Sequence, residues 1–185
     1  MSSLPSSNCT ESQSQPTCSD ESWFVATRPI EIPENGYVTN TVVCTPKFEF
    51  CFLPPANWSC SVQTNANRLT WIMPDQSAAI HFTFTVQPGG RVTPPRLEDL
   101  RLRAQAAAPN SRLVEQFPCY SRTHSGTGFD VEVPARNQFT TMTRFAFIPF
   151  EAGLVEFQLA TSPAQFVARQ LDLGVLLNSF GIAPR

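Results

Sequence analysis

Few residues of this chain could do acid–base or nucleophilic chemistry. It has two histidines, His81 and His124. His124 lies close in sequence to Ser121, Ser125 and Asp130. A Ser–His–acid triad can therefore be written on paper, which would make the chain a small hydrolase using His124. Such a nucleophile is usually presented on a G-x-S-x-G elbow, and nothing like it surrounds either serine. His124 with Asp130 or Glu132 would make only a sparse metal site. The plainer reading of this stretch is a solvated hairpin tip. His81 falls on the polar face of an alternating strand. Glu98-Asp99 opens a helix, where the dipole favours acids. Glu132, Glu151 and Glu156 are scattered, and Gly89-Gly90 does not open a phosphate-binding helix. We assign no catalytic residue, no metal ligand and no cofactor, and expect a chain that is not an enzyme.

The six cysteines are Cys9, Cys18, Cys44, Cys51, Cys60 and Cys119. No CxxC or CxxH spacing occurs, so zinc is poorly supported. Those from Cys44 onward fall among apolar residues, where a buried thiol acts as a small hydrophobe. Cys51 and Cys60 flank Pro54-Pro55 and are the best disulfide candidates in an oxidising compartment. Cys9 and Cys18 could pair with each other.

The elements that hold these residues follow from composition and pattern. At 185 residues and 42% hydrophobic, the chain suits one globular domain with a short appendage. Fifteen Phe supply core bodies, and 17 Pro favour strand ends and turns over long helices. A net charge of −2 gives no basic surface, so nucleic acid is not an expected partner. No apolar run approaches the roughly 20 residues of a bilayer span, so membrane insertion is not expected. Met1 to Asp20 has no apolar leader core. The chain reads as soluble and cytoplasmic as written, or as periplasmic or extracellular if a leader has been removed.

Residues 1–22 are polar, carry three acids and no base, and read as a disordered tail. Residues 23–45 read as an N-terminal β arm, with Glu34-Asn35-Gly36 as its turn. Phe48, Phe50 and Phe52 alternate along a strand. Leu69, Trp71 and Met73 share one face of the next, and Ile80, Phe82, Phe84 and Val86 one face of the third. Pro88-Gly89-Gly90 turns the chain. A helix is expected over Pro94 to Ala108. Strands follow at Arg112 to Arg122 and Phe129 to Val133, around Ser125-Gly126-Thr127-Gly128 as a hairpin turn. Phe139 to Phe150 and Leu154 to Thr161 pair across Glu151-Ala152-Gly153. The last helix opens at Ser162-Pro163. Its apolar stripe is Phe166, Leu173, Leu177 and Phe180, widened by Val167 and Leu176, with Gly181 as cap. Short connections imply an α+β fold, a mostly antiparallel sheet of six to seven strands flanked by helices. Phe48 to Pro88 and Thr140 to Phe180 would be its two halves.

This order resembles the PsbP-like α/β/α sandwich. The residues that carry the resemblance are Phe50, Phe52, Pro55, Trp58, Pro74, Asp75, Ile80, Gly153, Leu177, Asn178, Ser179 and Phe180, within about 46–181. It implies a PsbP-like domain over 46–185. The fold is shared by extrinsic photosystem subunits, a Ran-binding import factor, DcrB-type envelope proteins and Eag-type secretion chaperones. The resemblance implies non-enzymatic work: a protein-binding module, a chaperone or scaffold whose partner is another protein, or an envelope-associated structural protein. Phe139, Phe145 and Phe147 share one parity of a strand whose other parity is also apolar. With Trp71 they are the candidate binding residues, as a groove for a partner segment. Oligomeric state is not readable.

Overall fold

The computed structural model describes residues 23–32, 36–87, 93–134 and 140–185. The tail 1–22 with Cys9 and Cys18, the Glu34-Asn35 and Pro88-Gly89-Gly90 turn residues, and Phe139 lie outside them.

Two sheets form, and every strand pair is antiparallel. The smaller has the order β1 (Phe24–Ile32), β2 (Gly36–Cys44), β3 (Phe48–Phe52), β11 (Gly181–Pro184). The larger has seven strands: β4 (Ser59–Gln63), β5 (Arg68–Ile72), β6 (Ala78–Val86), β10 (Gly153–Thr161), β9 (Thr141–Phe150), β8 (Ser125–Val133) and β7 (Arg112–Tyr120). Helices α1 (Leu97–Ala107) and α2 (Pro163–Ser179) complete the α+β sandwich. The expected antiparallel sheet of six to seven strands with flanking helices is therefore present, with seven strands.

One assignment inside it changes. Phe48–Phe52 is not part of the large sheet: β3 pairs with β2 over Thr41–Cys44 and with β11, and faces the large sheet. The reason lies in its side chains. Phe48, Phe50 and Phe52 all point one way and are buried. They meet the inward face of β5 and β6, namely Leu69, Trp71, Ile80, Phe82 and Phe84. Parity fixes which face is inward, but it does not choose the pairing neighbour. Trp23 ties the start of this sheet to the large one: its ring meets Phe84 edge-on at 5.3 Å, and its indole N–H donates to the Thr64 carbonyl at 3.2 Å.

Two turn readings also change. Ser125-Gly126-Thr127-Gly128 is strand, and the hairpin turn is Ser121–His124, closed by the Ser121 N–H on the His124 carbonyl at 2.8 Å. The glycines serve close approach: a Cβ at Gly128 would strike the Phe117 ring, and one at Gly126 the main chain of Phe147. Gly181 does not cap α2. The helix ends at Phe180, in extended conformation, and Gly181 opens β11 opposite Cys51.

The large sheet is covered on both faces. On β9, Ala146, Ile148 and Phe150 enter the core shared with β3, α2 and Phe180. Phe145 and Phe147 enter a second core with Phe129, Val131 and the α1 residues Leu100 and Ala104. Phe180 occupies the centre of the first core. Its ring stacks on Phe50 at 6.3 Å and meets Phe157 edge-on at 5.1 Å, with Phe52 and Phe82 alongside. Replacing Phe180→Ala should cost about 3–5 kcal/mol, because the surrounding rings cannot collapse into the space. Urea unfolding checks this, with Phe180→Leu expected to lose much less.

Candidate functional site

The groups considered for catalysis do not converge. The Ser121 hydroxyl is engaged with the main chain of His124, accepting from its N–H at 3.0 Å and donating to its carbonyl at 3.1 Å. The His124 ring has Nδ1 at 2.7 Å from the Thr123 hydroxyl. Asp130 lies six residues along an extended strand, roughly 20 Å away. It is committed elsewhere, receiving two bonds from the Arg144 guanidinium at 2.7 and 2.6 Å. That guanidinium lies over the rings of Phe117 (4.2 Å) and Phe166 (5.6 Å), so the pair fastens the start of α2 to the sheet. His124 does line a small cleft of 190 Å³ with Glu151 and Phe150. His81 has Nδ1 at 2.9 Å from the Thr70 hydroxyl, and burial and then Arg68 push its pKa down. Among the described residues no three His, Cys, Asp or Glu side chains gather as a metal site.

The four described cysteines are equally unpaired. Cys44, Cys51, Cys60 and Cys119 are free thiols, with Cys51 and Cys60 on different sheets. Burial pushes the Cys119 thiol up to about 11, which removes its thiolate at neutral pH.

Of the expected binding residues, Phe145, Phe147 and Trp71 lie inside the protein. Phe145 and Phe147 are 0% exposed beneath α1, and Trp71 is buried between the sheets. They do not line an open groove, because α1 supplies the cover that sequence left unassigned. Exposed apolar side chains occur on several elements, and three of them align along α2. Its inward residues Phe166, Leu173, Leu176 and Leu177 are buried. Val167, Leu171 and Val175, spaced i, i+4 and i+8, are 76%, 73% and 55% exposed. Val167 thus belongs to this outer stripe rather than to the core one. The pattern was readable as a second helical stripe, yet periodicity alone does not tell which stripe faces the core.

Val175 also lines a groove of 510 Å³, together with Val38 and Thr39 of β2 and Leu53 to Asn57. Ser179 shapes it. Its hydroxyl accepts from the Leu53 N–H at 2.9 Å and donates to the Leu176 carbonyl at 2.9 Å, drawing the chain after β3 toward α2 and away from β2. Pro54-Pro55 then line the groove, and Asn57 turns the chain at φ 65. Asp172, at the rim, is paired with Arg169 at 2.8 Å.

No family model matches the sequence, and no curated protein matches it in sequence. Solved structures do. LpqN of Mycobacterium tuberculosis, described as involved in cell envelope biogenesis, superposes with a TM-score of 0.54 at 10% identity, covering 86% of this chain and 92% of LpqN. The cyanobacterial PsbP of Synechocystis sp. PCC 6803 (CyanoP) gives 0.50 at 12% identity, covering 92% and 98%. The chain has a PsbP-like fold. The likeness covers more than 46–181 alone would supply, so it reaches into the first 45 residues. In this PsbP-like chain the Asp130–Arg144 pair is the ionic contact with the most buried carboxylate among the described residues. Arg144→Met would strand a buried carboxylate and should cost about 3–5 kcal/mol, whereas adding Asp130→Leu should restore much of it. Urea titration of the single and double variants checks both.

Proposed function

We propose that this PsbP-like chain is a non-enzymatic protein-binding module, acting as a chaperone or scaffold, and that its contact surface is the α2 stripe with the adjoining groove. The observation that carries this reading is the exposure of Val167, Leu171 and Val175 on a helix whose other face is already buried. Aliphatic side chains aligned in this way, beside a groove of 510 Å³, are what a polypeptide partner would cover. The lack of a converged catalytic group among the described residues supports the same reading. No helix of the described residues is long and apolar enough to cross a membrane. The likeness to LpqN, described as involved in cell envelope biogenesis, supports placing this work at the envelope.

Site-specific photo-crosslinking in the native host tests both parts. A benzophenone side chain at Leu171 should give a discrete adduct with another protein, recovered with the envelope fraction. The same group at exposed Thr85, on β6, should give none. Equal labelling at both positions, or none at Leu171, would remove the contact surface. An adduct found only in the soluble fraction would remove the envelope setting and leave the binding reading standing.

A further inference from the structure

The edges of the two sheets differ in a way that says how a partner would enter. The outermost strands are β1 and β11 in the small sheet and β4 and β7 in the large one. Three of these carry a proline inside the strand: Pro29 in β1, Pro184 in β11 and Pro118 in β7. Each withdraws one N–H and blunts the edge against further pairing. The fourth, β4, is five residues long and exposed along its whole length.

A fifth stretch of edge is not at the rim at all. β2 pairs with β1 from Gly36 to Cys44, but β3 covers its other side only from Thr41 to Cys44. Over Gly36–Asn40 that side has no strand partner among the described residues. It holds no proline. β3 cannot extend to cover it, because Leu53 is held to Ser179 and Pro54-Pro55 follow. The apolar groove borders this stretch at Val38 and Thr39, and Val175 of α2 also lines it.

Three features choose the occupant. A row of main-chain donors and acceptors takes an extended backbone, which a helix cannot offer. The one ionised side chain lining the groove, Asp172, is already neutralised by Arg169, so an uncharged segment complements it. The three aliphatic side chains of the stripe amount to a few hundred Å² on the order of magnitude typical of such patches. A second copy of this chain would need about 800 Å² per partner.

We propose that the partner contributes an extended, uncharged segment that adds as a strand beside Gly36–Asn40 of β2, with alternate apolar side chains packed toward Val175 and Pro55. This deepens the protein-binding reading above and rests on it. Five residues of strand span about 17 Å, and period-two geometry lets only every second side chain reach α2. The same alternation governs the backbone: only every second N–H of the added strand faces β2.

That parity is the test. Random heptapeptides displayed on phage are selected on the full chain, and the enriched peptide is synthesised with N-methyl groups at odd or at even positions. One N-methylated series should lose at least tenfold in affinity and the other should bind as the parent does. Adding the parent peptide should slow amide hydrogen exchange at Gly36–Asn40, and Val175→Asp should weaken binding at least tenfold. Equal tolerance of both series, or unchanged exchange at Gly36–Asn40, would overturn strand addition. So would the failure of any heptapeptide to be enriched. In each of these cases the crosslink at Leu171 still reports separately on whether this surface binds protein.

Discussion

The structure depends on where Phe180 must go. Its ring fills the space among Phe50, Phe52, Phe82 and Phe157, and so joins both sheets at one point. Because Phe180 is the residue at which α2 ends and β11 begins, its burial fixes both. The chain leaves the helix in extended conformation and enters the small sheet beside β3. At the other end of α2, the Arg144 guanidinium holds Phe166 against the sheet. With both ends held, the helix cannot roll. The stripe through Val167, Leu171 and Val175 is left outside as a consequence of how the inner stripe is seated.

The same constraint shapes the groove. Ser179 immediately precedes Phe180, so the hydroxyl that captures the Leu53 N–H is positioned by the aromatic core. That capture parts β3 from β2 after Phe52. The opening beside Gly36–Asn40 therefore follows from the core rather than from a loop that happens to be long.

Much of this was legible in the residues, and the rest was not for definable reasons. Period two located β3, β5 and β6, and the N-terminal proline signal placed α2, because both are local properties of the chain. Pairing is not local. Phe48, Phe50 and Phe52 would look the same in either sheet, and only β2 and β11 as neighbours decide the matter. Gly126 and Gly128 have the composition of a turn; their use in allowing Phe147 and Phe117 to approach depends on other strands. The double-faced apolar character of β9 was plain, but sequence does not say that α1 covers Phe145 and Phe147. Likewise α2 shows two apolar stripes, and the ring of Phe180 decides between them.

An outer stripe kept for a partner should add nothing to the stability of the chain alone. Equilibrium urea unfolding of the triple variant Val167→Gln, Leu171→Gln, Val175→Gln tests this most directly. The account expects a midpoint equal to or slightly above that of the parent, since glutamine is the better helix former than valine and these side chains make no core contact. A loss of more than about 2 kcal/mol, the scale of a buried aliphatic side chain, would contradict it by showing that the stripe is structural.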